Sequence, residues 1–416
     1  MKAKTDTVFW NLVCLSPSSK SYKMGLLDGL RLCLFMPCLK RRLSIASLFL
    51  LAFILLGACS STPKMFVDSP LFGEHVFTTV DSEVARYYLD SYLQGEFSNR
   101  ELDERISGLY RQYRNTIPSR DELKGISQQY SVDFASLFLA DLLLKNECNK
   151  KLNNSFTHQM ESPTIAGLNI SSYKLLFVPG WDYAESGHLT GADFNAPRAM
   201  ATKLGIENYL VELPPTGSVE QNAEYLATDI IHHGRAGKGI ILAGASSAGP
   251  AIHLALAELL SEKERRAVKA WFNIGGILQG SPLIDYYQQW PHSWFFNFAV
   301  WDQGWDKQAI VSMGTGRSRS RFSRLRIESE LLIINYLGIP LSGQLSKFSI
   351  GKYPLLKPEG PNDGLTLLTD AIAPNSMTIV ALGSDHYFAE DPEIDKKTIV
   401  LLALVITYLE KGITSC

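Results

Sequence analysis

The chain has 416 residues, 46% of them hydrophobic and 20% charged, and its formal net charge at pH 7 is −2. This length allows one large domain, or a core with an appended domain, and the apolar fraction is enough for a sizeable core. Nucleic acid is not an expected partner, because its recognition needs a clustered excess of lysine and arginine that this balance does not indicate.

The N-terminal region carries the pattern of a secretory signal. The basic triplet KRR precedes the apolar run LSIASLFLLAFILLGA, which ends directly before Cys59. Basic, apolar and small-residue segments in this order are typical of a cleaved signal peptide, here residues 1–58. Translation would start at Met24 or Met36, and Met36 gives the tidier basic segment. An uncleaved membrane anchor is the alternative.

The LGAC ending of the apolar run resembles the lipobox of bacterial lipoproteins. The resemblance implies cleavage before Cys59 and a diacylglyceryl thioether on its sulfur. Ser60 at the next position resembles the preference for sorting to the outer membrane, facing the periplasm. Cys148 and Cys416 then remain as a possible disulfide in an oxidising compartment, with two unpaired thiols as the alternative.

Two segments that differ in residue pattern follow the lipobox. Residues 59–81 are interpreted as a tether. The stretches DSEVARYYLDSYL, RELDERISGLYRQY and VDFASLFLADLLL then show helical spacing of apolar residues or are apolar nearly throughout. Residues 82–165 are therefore predicted to form a helical N-terminal subdomain.

From residue 166 to the C-terminus, short apolar runs end at or near glycine or proline: KLLFVPG, NYLVELP, GIILAGA, AWFNIGG and MTIVALG. Helical stretches separate the early runs, and DPEIDKKTIVLLALVITYLEK is a long closing helix. Strands buried on both faces have this pattern, so it predicts an α/β fold with a mostly parallel sheet and helices on both faces. Residues 280–352 break the alternation and are too long for a plain loop, which predicts an inserted cap.

The third run leads into AGASSAGPA, where Ser246 and Ser247 are adjacent. A phosphate-binding turn of a dinucleotide fold would need three glycines, but Ala248 and Pro250 stand at the second and third positions. Two strand–helix units also precede this turn, and the lysine of a Walker loop is missing. The sequence therefore disfavours both kinds of nucleotide site.

A nucleophile elbow fits the same residues better. It needs a strand, a sharp turn and a helix, with small residues two before and two after the nucleophile. Both serines meet this condition, and Ser246 is favoured because the strand stops directly at Gly244. Ser247 stays open as the alternative nucleophile; in the favoured frame its backbone N–H would serve an oxyanion hole.

A serine nucleophile needs a base, and the base needs an acid that orients it. His386 follows the last apolar run and is the expected base, whereas His253 falls inside a helix and His292 in the cap. The acid is expected after the preceding strand, where PNDG supplies Asp363. Asp285 is the alternative acid. Two further carboxylates are interpreted as solvated charges, namely Asp370 and Asp385.

The second oxyanion donor is expected on the loop after the first apolar run of the sheet. Pro179-Gly180-Trp181 occupies this loop, and the backbone N–H of Trp181 is the expected donor, with Asp182 as the alternative. Two N–H groups aimed at a developing oxyanion can lower a barrier by a few kcal/mol.

From Tyr173 to its end the chain resembles the α/β-hydrolase superfamily, most nearly its lipases and esterases. PNDG and FNIGGILQGSPL are similar to stretches of bacterial lipases, but Ala248 replaces a usual glycine and the usual histidine before the serine is absent. The resemblance implies hydrolysis of a small-molecule or lipid carboxylic ester through an acyl-enzyme, with no metal or cofactor. An acyltransferase with the same triad and a catalytically silent envelope lipoprotein are the alternatives. The N-terminal helices resemble no known family.

Two features of the predicted cap allow more than one interpretation. WPHSWFFNFAVWDQGW holds seven tryptophans and phenylalanines, which are either a cap core or an apolar lid or acyl-chain wall. Five arginines in GRSRSRFSRLR either contact phosphate head groups or pair with acids on a solvated face, such as Glu328 and Glu330.

Overall fold

Six strands form one parallel sheet at the centre of the structure. The described strands are β1 (Met65–Leu71), β2 (Glu74–Val80), β3 (Tyr173–Val178), β4 (Asn208–Leu210), β5 (Gly239–Ala245), β6 (Val268–Ile274), β7 (Leu332–Ile339) and β8 (Met377–Leu382). Their order in the sheet is β4-β3-β5-β6-β7-β8, and every neighbouring pair is parallel. β1 and β2 form a separate antiparallel pair.

Helices surround this sheet and precede it in the chain. The described α-helices are α1 (Glu83–Asp90), α2 (Arg100–Gln112), α3 (Arg120–Gln129), α4 (Val132–Lys145), α5 (Glu147–Glu161), α6 (Tyr183–Thr190), α7 (Asn195–Lys203), α8 (Val219–Gly234), α9 (Ala248–Leu254), α10 (Glu262–Arg265), α11 (Pro282–Gln288), α12 (His292–Gln303), α13 (Lys307–Val311), α14 (Thr315–Arg324), α15 (Tyr353–Leu356) and α16 (Ile394–Glu410).

The structure is a computed structural model, and it describes residues 64–71, 74–114, 116–235, 237–327 and 330–414. They belong to one compact unit that begins at Lys64. The predicted signal peptide, the lipidation site Cys59 and Cys416 lie outside the described residues. Cys148 is disulfide-bonded; its partner lies outside those residues too, so its pairing with Cys416 stays a prediction. Within the described ranges, no helix combines the length and apolar content of a membrane span.

Alternate residues of the sheet strands enter two different apolar cores. Leu176 and Val178 of β3 pack in one core with α8 and α9. Leu175 and Phe177 of the same strand pack in the other core with α7 and α16. A strand buried on both faces needs an unbroken apolar sequence, which explains the apolar runs of this half of the chain. The predicted α/β fold, with a mostly parallel sheet and helices on both faces, is confirmed.

β7 lies inside residues 280–352, so the predicted extent of the cap is wrong. The polar residue Asn335 interrupts the apolar run LIINYLGI and hides the strand in the sequence. Asn335 is nevertheless buried, because its amide accepts from the Asn273 Nδ2 at 3.0 Å and donates to the Ser376 Oγ at 2.6 Å. A buried amide with its hydrogen bonds made is tolerated within a sheet. The helical insertion is confined to residues 282–324, which hold α11 to α14.

The segment predicted as a tether forms a hairpin where the structure describes it. β1 and β2 pair with Met65 opposite Val80. Alternate side chains of the hairpin are buried, namely Val67, Leu71, Val76 and Val80. The prediction of a tether over residues 59–81 is therefore wrong from residue 65 onward.

The helices α1 to α5 lie within the region predicted as helical, residues 82–165, and pack against the sheet. α1 to α4 share an apolar core with the hairpin and with Leu337 and Ile339 of β7. Leu152 of α5 packs instead in the core that holds α7 and α16. Asn149 and Asn153 of α5 also bond to the backbone of the edge strand β8, accepting from Thr378 N at 2.8 Å and Val380 N at 2.9 Å. An uncovered edge strand invites pairing with other chains, and α5 covers this one.

A buried ion-pair network joins α3 to the cap and to the loop after β7. Asp370 is fully buried and accepts from the Arg120 guanidinium at 2.9 Å and the Arg319 guanidinium at 3.3 Å. Arg120 also donates to the Gln279 Oε1 at 2.8 Å. Burial raises the pKa of Asp370, and the two guanidinium groups oppose that rise. The prediction of Asp370 as a solvated charge is therefore wrong.

A second buried polar cluster ties the hairpin and α4 to the segment after β7. Asp133 of α4 accepts from the Asp81 N–H at 2.7 Å, the Ser342 Oγ at 3.0 Å and the Tyr353 hydroxyl at 3.2 Å. Lys357 donates to the Asp81 carboxylate at 3.0 Å. Burial and the neighbouring Asp81 carboxylate raise the pKa of Asp133 to about 7.

Asp133 should make the folded state lose stability as the pH rises. Its pKa is raised above the ordinary value of 3.8, so its contribution is fully present below about pH 4 and is lost as the pH rises through about 7. Thermal unfolding across this range should show a flatter pH dependence for Asp133→Asn than for the unsubstituted protein. Asp103→Asn on α2, which also removes a hydrogen-bonded carboxylate, should leave the slope unchanged. Equal slopes for the Asp133 variant and the unsubstituted protein would contradict this assignment.

Candidate active site

Ser246 stands at the apex of a sharp turn between β5 and α9. Its backbone is in the left-handed region, with φ 55°. Such a conformation costs a non-glycine residue roughly 1–2 kcal/mol and persists only where the surroundings enforce it. A Cβ on Gly244 would lie 2.2 Å from the Ile252 Cδ1, and one on Gly249 would lie 2.8 Å from the Gly276 Cα. These contacts explain why the residues that flank the turn are small.

The side chains of Ser246, His386 and Asp363 form one hydrogen-bonded chain. The Ser246 Oγ lies 2.9 Å from the His386 Nε2, and the His386 Nδ1 lies 2.8 Å from the Asp363 Oδ2. The side chains of His386 and Asp363 are only 4% and 3% exposed. An ionised carboxylate only accepts hydrogen bonds, so it fixes the proton on Nδ1 and leaves Nε2 as the acceptor towards the serine.

Backbone groups hold the Asp363 carboxylate in place. Its Oδ1 accepts from the N–H groups of Leu365 at 2.9 Å and Thr366 at 2.8 Å, which leaves Oδ2 for His386. Gly275, with φ 53°, lies beside the pair, and a Cβ there would be 3.5 Å from the His386 Nδ1. Gly275 was not predicted as a site residue. The feature of the sequence that could have indicated it is the pair of glycines directly after β6.

The segment from Asp363 to β8 contains little regular structure. Only the 3₁₀ turn Leu368–Ala371 lies between them among the regular elements. The acid loop is therefore compact, and Leu368 N donates to the Pro361 O at 3.0 Å to close it.

Ser247 differs from Ser246 in both backbone and side chain. Its φ is −63°, as at a helix start, and its side chain is buried. The Ser247 Oγ has no hydrogen-bond partner among the described residues. Of the two adjacent hydroxyls, that of Ser246 is the one placed at His386.

The other residues considered for the triad lie elsewhere. His253 is buried against Trp271 and Phe322, and burial lowers its pKa to about 4. His292 lies 2.8 Å from the Tyr286 hydroxyl. The Asp285 carboxylate accepts from the N–H of Thr315 at 3.2 Å and from its hydroxyl at 2.6 Å, at the start of α14.

The loop after β3 lies against the nucleophile turn. A Cβ on Gly180 would be 3.5 Å from the Ser246 Cβ. Asp182 donates its N–H to the Pro215 O at 2.7 Å, so this group is already engaged and does not serve as the alternative donor. The backbone N–H groups of Trp181 and Ser247 form no hydrogen bond with another described residue. Both are thus available to a bound oxyanion.

The cap helix α12 lies close to this loop. The Trp181 ring meets the Trp305 ring edge-on, with centroids 6.1 Å apart, and joins an apolar cluster with Phe296, Val300 and Ile310. The cap-core interpretation of the aromatic segment therefore holds for Phe296 and Trp305. The other five aromatic side chains are exposed: Trp290, Trp294, Phe295, Phe298 and Trp301.

Arginines of the cap form hydrogen bonds and ion pairs with other residues of the protein. Arg321 is buried and donates to the Ser312 O at 2.7 Å, and it lies 3.2 Å from the Glu220 carboxylate. Arg324 lies 3.1 Å from the Glu258 carboxylate. The interpretation as a face paired to acids is thus the better one, with Glu220 and Glu258 as partners; the expected partner Glu328 lies outside the described residues.

A cavity of about 1200 Å³ reaches the site from the histidine side. Its lining includes His386, Asp363 and Gly275, and it continues along α5 and the ends of β7 and β8. Among the described residues, no group of three or more histidine, cysteine, aspartate or glutamate side chains is arranged to hold a metal ion.

No protein-family model matches this chain, and no curated protein matches it. Solved structures do. A metagenomic carboxyl esterase is 18% identical, with 59% of this chain and 77% of that chain covered and a TM-score of 0.47. A Bacillus licheniformis lipase in its mature form is 20% identical, with 61% and 94% covered and a TM-score of 0.45. An esterase of Clostridium botulinum is 12% identical, with 62% and 91% covered and a TM-score of 0.45. At these values the similarity carries no conclusion about activity, which rests on the geometry of the site.

Proposed function

We propose that this protein is a serine hydrolase that cleaves carboxylic esters of small molecules or lipids through an acyl-enzyme. The observation that carries the proposal is the continuous chain from the Ser246 Oγ to the His386 imidazole, 2.9 Å, and on to the Asp363 carboxylate, 2.8 Å. Nucleophile, base and orienting acid in mutual contact are the parts that acyl transfer needs.

The geometry supports a two-step reaction. The Ser246 Oγ attacks the ester carbonyl carbon while its proton passes to the His386 Nε2. His386 then returns the proton to the alkoxide as the carbon–oxygen bond breaks, which leaves the acyl group on the serine. Water attacks the acyl-enzyme in the same way, its proton passing through His386 to Ser246, and the carboxylic acid leaves. Asp363 stabilises the imidazolium throughout, and no step needs a metal or cofactor.

The oxyanion of each tetrahedral intermediate would be held by the backbone N–H groups of Trp181 and Ser247. Both lie beside Ser246, one across the contact with Gly180 and one on the next residue of the turn. Preorganised donors of this kind are worth about 2.7–4 kcal/mol each when they are removed from related sites.

The proposal includes attachment to a membrane through a lipid on Cys59, at the outer membrane and facing the periplasm. The support is in the sequence, where KRR, the apolar run and LGAC stand in the required order. Lys64, the first described residue, follows Cys59 by only five positions.

The nucleophile can be identified with an active-site label. Ser246→Ala should lose labelling by a fluorophosphonate and lose about 10⁴-fold or more in kcat for p-nitrophenyl acetate. Ser247→Ala should keep the label, because its hydroxyl is buried and faces no base. Labelling that survives Ser246→Ala but not Ser247→Ala would reverse the assignment, and an unlabelled folded wild type would overturn the proposed function.

Asp363→Asn should inactivate the enzyme without unfolding it. The two N–H donors at Oδ1 would keep the amide oxygen, so the NH2 group would face the His386 Nδ1. His386 would then carry its proton on Nε2 and could not accept one from Ser246, which costs about 10⁴-fold in kcat. The measurements are ester kinetics and thermal unfolding. Asp285→Asn is the matched control, and activity lost there but kept in Asp363→Asn would contradict the triad.

Lipidation can be tested on the intact chain. Cells grown with an alkynyl fatty acid should label the unsubstituted protein, and Cys59→Ser should abolish this label. After cell fractionation, a larger share of the Cys59→Ser variant than of the unsubstituted protein should be found outside the membrane fraction. An unlabelled wild type that retains residues 1–58 would instead support the uncleaved anchor.

A further inference from the structure

Helix α12 has one packed face and one exposed aromatic face. On the packed side Phe296, Ala299 and Val300 are 6–8% exposed. The aromatic face consists of Trp290 (84% exposed), which lies two residues before the helix, and of Trp294 (80%), Phe295 (68%), Phe298 (60%) and Trp301 (75%) within it. Trp294, Phe298 and Trp301 are spaced by four and three positions, so they align along one side of the helix. Contiguous exposed apolar surface of this kind marks an interaction site.

We propose that the aromatic face docks on the surface of a lipid bilayer. This inference rests on the proposed membrane attachment and deepens the proposed function, because it makes esters of membrane lipids the substrate class. The occupant is lipid rather than a second copy of the chain or another protein.

The chemistry of the face fits a membrane interface. Tryptophan combines a large apolar ring with one N–H donor, and it concentrates where a bilayer meets water. The exposed polar residues within α12 are Asn297 and Asp302. Among the five rings, the described contact is that of Phe298 with Trp301, at 5.9 Å. The exposed rings are therefore open to contact with lipid molecules.

The chain before the compact unit would keep that unit close to a membrane. Cys59 and the apolar run before it are followed by the compact unit from Lys64. Five residues span at most about 18 Å when fully extended. A lipid on Cys59 and an uncleaved anchor would both hold the unit within this distance of a bilayer. At such a short tether, even weak lipid contacts are favoured by the high effective concentration.

The packed side of α12 connects the aromatic face to the site. Phe296 and Val300 pack with Trp305 and with Trp181. Gly180 of the loop that carries Trp181 lies beside Ser246, whose Cβ would be 3.5 Å from a Cβ placed on Gly180. A bilayer at the aromatic face would thus lie one helix away from the proposed oxyanion loop.

The test uses the full chain in nanodiscs that contain one protein copy each. The lipid is phosphatidylcholine brominated near the ester end of its acyl chains, which quenches tryptophan on contact. Three of the seven tryptophans belong to the aromatic face. The bromolipid should therefore quench the unsubstituted protein at least about twofold more than the variant Trp290→Phe/Trp294→Phe/Trp301→Phe. Equal quenching in both would overturn the proposal, as would quenching that appears only in discs with two copies, which indicates self-association.

A second pair of variants separates docking from catalysis. Trp294→Ser/Trp301→Ser should reduce hydrolysis of lipid esters in the discs at least about fivefold and leave p-nitrophenyl acetate turnover within about twofold. Tyr225→Ser/Leu259→Ser, which removes exposed apolar side chains from other surfaces, should change neither rate. Equal lipid-ester rates in both double variants would overturn the proposal. If the unsubstituted protein turned over no ester but its aromatic face was still quenched, the docking would stand and the proposed function would fail.

Discussion

The site depends on one backbone conformation, the left-handed turn at Ser246. An L-residue at φ 55° is held there only because β5 before it and α9 after it are fixed by packing. The close contacts at Gly244 and Gly249 allow β5, α9 and the loop after β6 to approach each other around the turn. The turn aims the Ser246 hydroxyl out of the sheet and places the next N–H group at the start of a helix. The proposed nucleophile and one of the two proposed oxyanion donors thus come from one local constraint.

The other half of the site depends on contacts distant in sequence. Asp363 lies on a loop that contains Asp370, and Asp370 is fully buried with Arg120 of α3 and Arg319 of α14. Removing one partner of a buried ion pair typically costs about 3–5 kcal/mol, because the remaining charge is left uncompensated. Helix α3 and the cap helix α14 therefore both hold in place the loop that carries Asp363. α5 adds hydrogen bonds along β8, which leads to His386. This gives the N-terminal helices a physical role in positioning the acid and the base.

Local patterns in the sequence predicted the turn and the sheet because each is set by a short stretch. GASSAG shows the small residues of the turn, and the two-sided burial of β3 and β5 appears as apolar runs. Asp363 and His386 were identified by their order after the serine.

β7 was missed because Asn335 is polar and finds its partners only in the folded state. The hairpin was missed because Phe66 and Phe77 are exposed while Ser69 is buried, so its sequence shows no clean alternation of apolar and polar residues. The exposure of the α12 rings depends on which face the cap turns inward, and an almost evenly apolar helix does not reveal this.

The two faces of α12 meet different demands. Its attachment to the protein needs the packed side, where Phe296, Val300 and Trp305 fill the space over Trp181. Nothing in that packing requires large rings on the other side, where alanine or lysine would favour the helix at least as well. Each fully exposed large apolar side chain forgoes about 1.5–3 kcal/mol that burial would supply. The aromatic face is therefore explained by a contact outside the folded unit. The packed side of the same helix lies against Trp181. Contact of the aromatic face with a membrane would therefore place that membrane near the proposed ester site.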